Sequence, residues 1–291
     1  MARLTWLDGS WVVRETLPDG DTLHFLPDQP ALVGAFLPRL RQHPEGTLAV
    51  RLYGIDTAEL HYRRRSQATV RQPYPWVELA TQGLLTFLGF APQLPRSRHG
   101  RIIEGQPCRG AVAVLGSDRH GRAIGLVQRG EHTPRLDRFQ SASAAEWLTS
   151  ANLALIQAGL AWPLLALDFP DVWLPSLLQA LDAARLARRG IWRCDCSHSG
   201  FSCHAETWQA LQTSQLIWPF LFRRMADLHA RQRPTPEPDP IAALDRRVGH
   251  VRLRSAGCHV RFGDLLQYEQ QALQLLVAPE DILFPGYRRL L

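Results

Sequence analysis

No lysine occurs anywhere in the 291 residues, so all 33 basic residues are arginines. Genome base composition accounts for such a bias without any functional cause. The physical consequence holds either way, because planar guanidinium forks suit bidentate contacts to phosphate. Long apolar runs are also missing. The longest patches, such as residues 216–222, are short and that one contains Pro219, which excludes a membrane-spanning helix. Asp8 comes too early to leave room for the apolar stretch of a signal peptide, so a cytoplasmic location and no membrane partner are expected. Cysteine is scarce, five residues in all, and in that compartment thiols or metal ligands are expected rather than disulfides. What remains is 45% hydrophobic and 21% charged, the composition of a soluble globular protein with one large or two small domains. A net charge of +6 makes a polyanionic partner plausible.

The densest chemistry lies in residues 50–59. Val50 and Leu52 alternate with Arg51 and Tyr53, the period of a half-buried strand, and Gly54 breaks it. Asp56, Thr57 and Glu59 then crowd two carboxylates and a hydroxyl into four residues. A strand that delivers an arginine and ends in closely spaced acids reads as a hard-cation site facing an anionic substrate. Upstream, Leu17-Pro18-Asp19-Gly20 has turn chemistry and residues 21–25 read as the returning strand. Turn geometry alone could account for Asp19 and Asp21. Downstream, apolar segments 111–115 and 123–127 flank a turn at 117–121. Asp118 and Gly121 serve that turn, whereas Arg122 at its exit has no folding role visible in the sequence.

Taken together these three segments resemble the staphylococcal nuclease (thermonuclease) family. Its pattern runs Asp-Gly-Asp-Thr, then Arg-x-x-x-(Val/Ile)-Asp-Thr-Pro-Glu, then Asp-x-Tyr-Gly-Arg. The chain carries residues 19–22, 51–59 and 118–122 in that order, with Ala58 replacing the proline and His120 the tyrosine. Segments 151–161 and 184–192 also fit, so the resemblance spans roughly residues 8–193. It implies a five-stranded Greek-key OB barrel with about three helices, and a calcium-dependent phosphodiesterase acting on DNA or RNA. By the same resemblance Asp21, Asp56 and the Thr57 carbonyl would hold Ca²⁺. Glu59 would orient or deprotonate the attacking water, and Arg51 and Arg122 would fork onto the scissile phosphate. Asp19 falls outside the ligand set, as a support. Two tyrosines that stack on the nucleotide in the family fall here on Leu165 and Leu167. The alternative is a catalytically inactive OB-fold module for nucleic-acid binding or assembly.

The rest of the chain adds candidates of lower specificity. Residues 30–41 carry an inserted helix pattern opened by Pro30. Arg63, Arg64 and Arg65, with Tyr53 and Arg119, are candidate nucleic-acid contacts beside the acidic segment. Helices are expected over residues 77–88, 147–160 and 174–189, and over 208–230 with a kink at Pro219. Cys194, Cys196, Cys203 and His204 form a compact set that reads either as a zinc site or as free thiols. The organisation expected is a barrel domain over 1–196, a Cys/His segment and helix over 197–232, and a Pro-rich linker over 233–240. A small α+β region over 241–291 follows, with strand-like pieces at 249–254 and 259–262 and a helix over 265–276; its role is left open, a protein partner being one option.

Overall fold

The computed structural model describes residues 3–63, 68–91, 93–130, 140–203, 208–229 and 239–286. The alternating segments become a closed barrel of five strands. These are β1 (Arg3–Val12), β2 (Thr22–Pro27), β3 (Leu48–Leu52), β5 (Cys108–Ser117) and β6 (Ala123–Arg129). Around the barrel the order is β1-β2-β3-β6-β5 and back to β1. All pairings are antiparallel except β3 with β6, where Val50 lies opposite Ala123 and Leu52 opposite Gly125. The barrel is therefore mixed, and closure leaves none of its five strands as a free edge.

Gly54 ends β3. Its φ of 78° is a left-handed conformation that L side chains rarely adopt, and a Cβ there would stand 2.8 Å from the Phe169 ring. The reversal feeds β4 (Ile55–Asp56), which pairs with the short strand Trp162–Pro163. Both faces of β3 and of this turn are covered, so Tyr53 is buried like Leu52 rather than alternating with it. Its ring stacks on Phe169 at 5.7 Å between centroids and its hydroxyl donates to Asp168.

Eight α-helices are present among the described residues. The inserted helix α1 (Pro30–Phe36) precedes β3, and α2 (Trp76–Leu88) buries Val77, Ala80, Leu84 and Leu88 while Leu79 stays exposed. The helix expected over 147–160 is two, α3 (Ala144–Leu148) and α4 (Ala151–Gln157). Ser150 separates them by accepting the Leu153 N–H as an N-cap. Helix α5 (Leu174–Leu186) matches the expected third helix of the barrel unit.

Beyond residue 193 the structure departs further from expectation. Pro219 does not kink a long helix; it starts one. Its missing N–H suits a first helical position, so α6 (Ala210–Thr213) stops short and α7 (Pro219–His229) begins there. Helix α8 (Pro240–Val248), capped by Asp239, lies where no helix was expected. The helix expected over 265–276 is a hairpin of Leu266–Glu269 and Ala272–Leu275, turned by Gln270 and Gln271 at φ of 48° and 68°. Leu273 and Leu275 alternate with Gln274 along one strand and Leu266 lies opposite Leu275 on the other, so the three share the buried face of the hairpin.

The C-terminal region is stitched to the barrel unit rather than appended. Strand Ile282–Phe284 runs parallel to Leu165–Ala166 and pairs with it. Arg185 forks onto the Glu280 carboxylate, and Phe220 packs on Phe284 at 4.7 Å and on Phe262 at 5.6 Å between centroids.

Asn152 on α4 locks the parallel seam. Its Nδ2 donates to the Tyr53 and Gly125 carbonyls at 2.8 and 3.2 Å, and its Oδ1 accepts the Val127 N–H at 3.0 Å, with no solvent exposure. Asn152→Ala orphans these buried backbone groups. We expect a loss of about 2–4 kcal/mol, read as a lower urea midpoint with an unchanged slope.

Candidate functional site

Three segments far apart in the sequence meet at one end of the barrel. Asp21 immediately precedes β2, Arg51 lies on β3 opposite Thr22, and Asp56 ends β4. The Leu52 N–H donates to the Asp21 carbonyl at 2.9 Å, which ties the entry of β2 to the exit of β3. Arg51 bridges Asp21 and Asp56 through its two terminal nitrogens. Asp21 Oδ2 also accepts the Thr57 N–H at 2.9 Å and the Thr57 hydroxyl at 3.0 Å. Thr57 thus positions Asp21 through its N–H and hydroxyl, a role its sequence position did not suggest. Glu59 is held through its backbone by Gln72, whose Oε1 accepts its N–H at 3.0 Å. The Nε2 of the same Gln72 donates to the Ile217 carbonyl at 2.7 Å.

Arg122 stands beside this centre. Its Nε donates to Asp118 at 2.6 Å and its Nη1 to the Thr22 hydroxyl at 3.3 Å, and that hydroxyl reaches Asp21 Oδ1 at 3.3 Å. Asp118 also accepts the N–H groups of His120 and Arg122. Burial pushes the Asp118 carboxyl up, but Arg122 and these N–H bonds outweigh it and hold its pKa below the usual value. Arg122 therefore has the folding role that the sequence did not reveal: it clamps its own hairpin turn.

The residue that sequence reasoning missed is Arg223 on α7. Its Nη1 and Nη2 donate to Asp56 Oδ1 and Oδ2 at 2.9 Å each, and Nη1 also pairs with Glu59 Oε1. The one signal available was an Arg-Arg pair set inside the apolar run Phe220-Leu221-Phe222-Arg223-Arg224-Met225, since a cation on a buried helix face must find a counter-charge.

The cluster is nearly dry. Asp56 is 0% exposed, Arg51 4% and Glu59 9%. Two guanidiniums face three carboxylates. For Arg51, burial pulls the pKa down, but Asp21 and Asp56 overcome it and raise the pKa above its ordinary value. The same balance, with Asp56 and Glu59 as the anions, raises Arg223. Burial pushes Glu59 up, and the Asp56 and Asp21 charges reinforce this against the pull of Arg223. Nε of both Arg51 and Arg223 finds no acceptor among the described residues, an omission that costs about 1–3 kcal/mol for each buried donor.

Carboxylate and carbonyl oxygens are the chemistry Ca²⁺ prefers, but the residues as they stand do not fit the ion. Both oxygens of Asp56 lie in the Arg223 fork, and Asp21 is spent on Arg51 and Thr57. No three His, Cys, Asp or Glu side chains converge as a metal-holding group among the described residues.

The other candidates fall elsewhere. Tyr53 is 1% exposed and belongs to the core, so its ring offers no face to a nucleotide. Arg63 and Arg119 are exposed, Arg119 against His120 at 3.1 Å. Arg64, Arg65 and His204 lie outside the described residues. Leu165 is buried in its strand pairing and Leu167 is exposed. The Cys196 and Cys194 thiols donate to the Cys194 and Ile191 carbonyls. Burial, then the Cys196 and Asp195 neighbours, pushes Cys194 up to about 11, and burial also raises Cys196 and Cys203.

No family model and no curated protein matches the chain.

Asp19 yields a pH test. Burial, with the Asp21 and Glu59 charges, holds its carboxyl well above the usual 3.8. An acid whose folded pKa is raised adds stability that is complete below its unfolded pKa and is lost as pH climbs through the folded one. Asp19→Asn keeps an oxygen for the Gly20 N–H that Asp19 now accepts at 2.8 Å. The melting temperature of Asp19→Asn should therefore match the parent below about pH 4 and exceed it near neutrality. A gap that is equal at both pH values would remove Asp19 from the electrostatics of the centre.

Proposed function

We propose that the barrel carries a phosphodiester-cleaving centre for DNA or RNA, of the staphylococcal nuclease type and on an OB-like Greek-key barrel. One observation carries this reading: Asp21, Arg51, Asp56, Thr57 and Glu59 meet at one barrel end, and Arg122 reaches the same Asp21 through Thr22. In this reading Glu59 accepts the proton of the attacking water, its raised pKa moving it toward the range useful for a general base. Arg122 supplies N–H donors to phosphate oxygens as charge builds on them, since its side chain is 26% exposed beside the cluster. Arg51 aligns the carboxylates from below. A calcium requirement belongs to this reading as a proposal.

A second reading has its own support. The carboxylates are saturated by guanidiniums and screened from water, as a non-catalytic scaffold for binding or assembly would have them.

Single-turnover cleavage of labelled single-stranded DNA and RNA, with Ca²⁺ and with chelator, separates the two. The nuclease reading expects cleavage, by the parent chain or by an Arg223 variant, that chelator abolishes. Arg122→Lys keeps the charge but not the planar fork, and should lower the cleavage rate by roughly 10²–10³ with little change in affinity. Glu59→Gln should slow cleavage while binding holds or tightens. If neither the parent chain nor an Arg223 variant cuts either substrate, the scaffold reading takes its place.

A further inference from the structure

The counter-charge of this centre comes from outside it. The acids lie on the barrel between residues 19 and 59, yet Arg223 reaches Asp56 across 167 residues of sequence and Glu59 across 164. It does so as a fork. Each terminal nitrogen takes one oxygen of Asp56, and the first also takes Glu59. Only 7% of the side chain is exposed. A divalent cation would need these same oxygens, and it would have to stand within contact distance of a guanidinium that stays charged. The two occupants exclude one another.

We propose that Arg223 is the resident cation of the carboxylate centre, and that a divalent cation of the calcium class enters only by displacing it. The C-terminal region then holds the barrel's centre closed through one side chain. This rests on the acids being a cation site, as the proposed function has them. Arg51 cannot play the same part, because it bridges Asp21 and Asp56 from inside a barrel strand. Nor can the adjacent Arg224, which lies near Tyr62 and Asp227 and stacks over Phe220 at 4.5 Å. With Arg223 neutralised, Asp56 and Glu59 are left with Arg51 alone. A buried surplus of negative charge is relieved by opening the fold, by taking up protons or by capturing a cation. Hard carboxylate oxygens make Ca²⁺ the cation to try.

The test uses the full chain and Ca²⁺ alone, with thermal unfolding and titration calorimetry as readouts. The parent should melt at the same temperature in chelator and in Ca²⁺. Arg223→Gln should melt lower in chelator and recover in Ca²⁺, binding the ion at least about tenfold more tightly than the parent. Adding Asp56→Asn to Arg223→Gln should remove both the loss and the Ca²⁺ response. An Arg223→Gln chain that is equally weakened in both buffers, with unchanged Ca²⁺ affinity, overturns the proposal and leaves an ordinary structural ion pair. If Arg223→Gln folds in neither buffer, Arg223→Lys decides, since a compact ammonium cannot hold both oxygens. It must then gain a Ca²⁺-dependent rise in melting temperature that the parent lacks, and no rise sinks the idea. A variant that captures Ca²⁺ but cuts neither DNA nor RNA keeps this proposal and removes the nuclease reading. One that cuts without tighter Ca²⁺ binding does the reverse.

Discussion

A carboxylate taken out of water must bring an opposite charge with it, and much of the arrangement at the barrel end follows from that constraint. Asp56 is wholly enclosed, so each of its oxygens needs a donor, and one arginine cannot serve it together with Asp21 and Glu59. Arg51 supplies the first cation from the barrel itself and Arg223 the second from α7. Barrel and C-terminal region therefore share one electrostatic unit. A buried pair of this kind adds little net stability beside well-packed apolar groups. Within the C-terminal region Trp218, Phe220, Phe262 and Phe284 pack ring to ring and are fully buried, which joins α7 to the strands that follow it. The ion pairs fix how that packed body sits on the barrel.

Local pattern and long-range pairing differ in how far they can be seen from sequence. Four of the barrel strands are legible locally, β3 by alternation, β5 and β6 as apolar runs, and β2, β5 and β6 by the turn residues at Asp19-Gly20 and Asp118–Gly121 beside them, because these features are local. Asp21, Arg51, Asp56 and Glu59 could be grouped because their spacing and order carry a recognisable resemblance. Arg223 could not, since nothing in a helix's own periodicity says which distant carboxylate its cation will meet. Arg122 was misjudged for the opposite reason: its partner Asp118 is only four residues away, but the pair exists only once the turn is formed.

The hairpin after residue 265 shows a different limit. Leu265, Leu266, Leu273 and Leu275 satisfy a helical spacing and an alternating one about equally well over so short a run. The turn between the strands uses Gln270 and Gln271 at positive φ, without the glycine or asparagine that usually marks such a reversal. Tyr53 went astray because alternation predicts one covered face, and the return of the chain through Phe169 and Trp173 covers the other.

The parallel pairing of Leu165 with Leu283 bears on how the chain acquires its structure during synthesis. A chain emerges from its N-terminus and domains tend to fold as they appear. The barrel strands, complete by residue 129, can therefore close while Asp56 and Glu59 still lack their second arginine. The strand at Leu165–Ala166 meanwhile waits for a neighbour encoded near the other end. Pairings so distant in sequence form late. A barrel that closed in this order would keep its acidic end open to water and ions until α7 arrived to cover it.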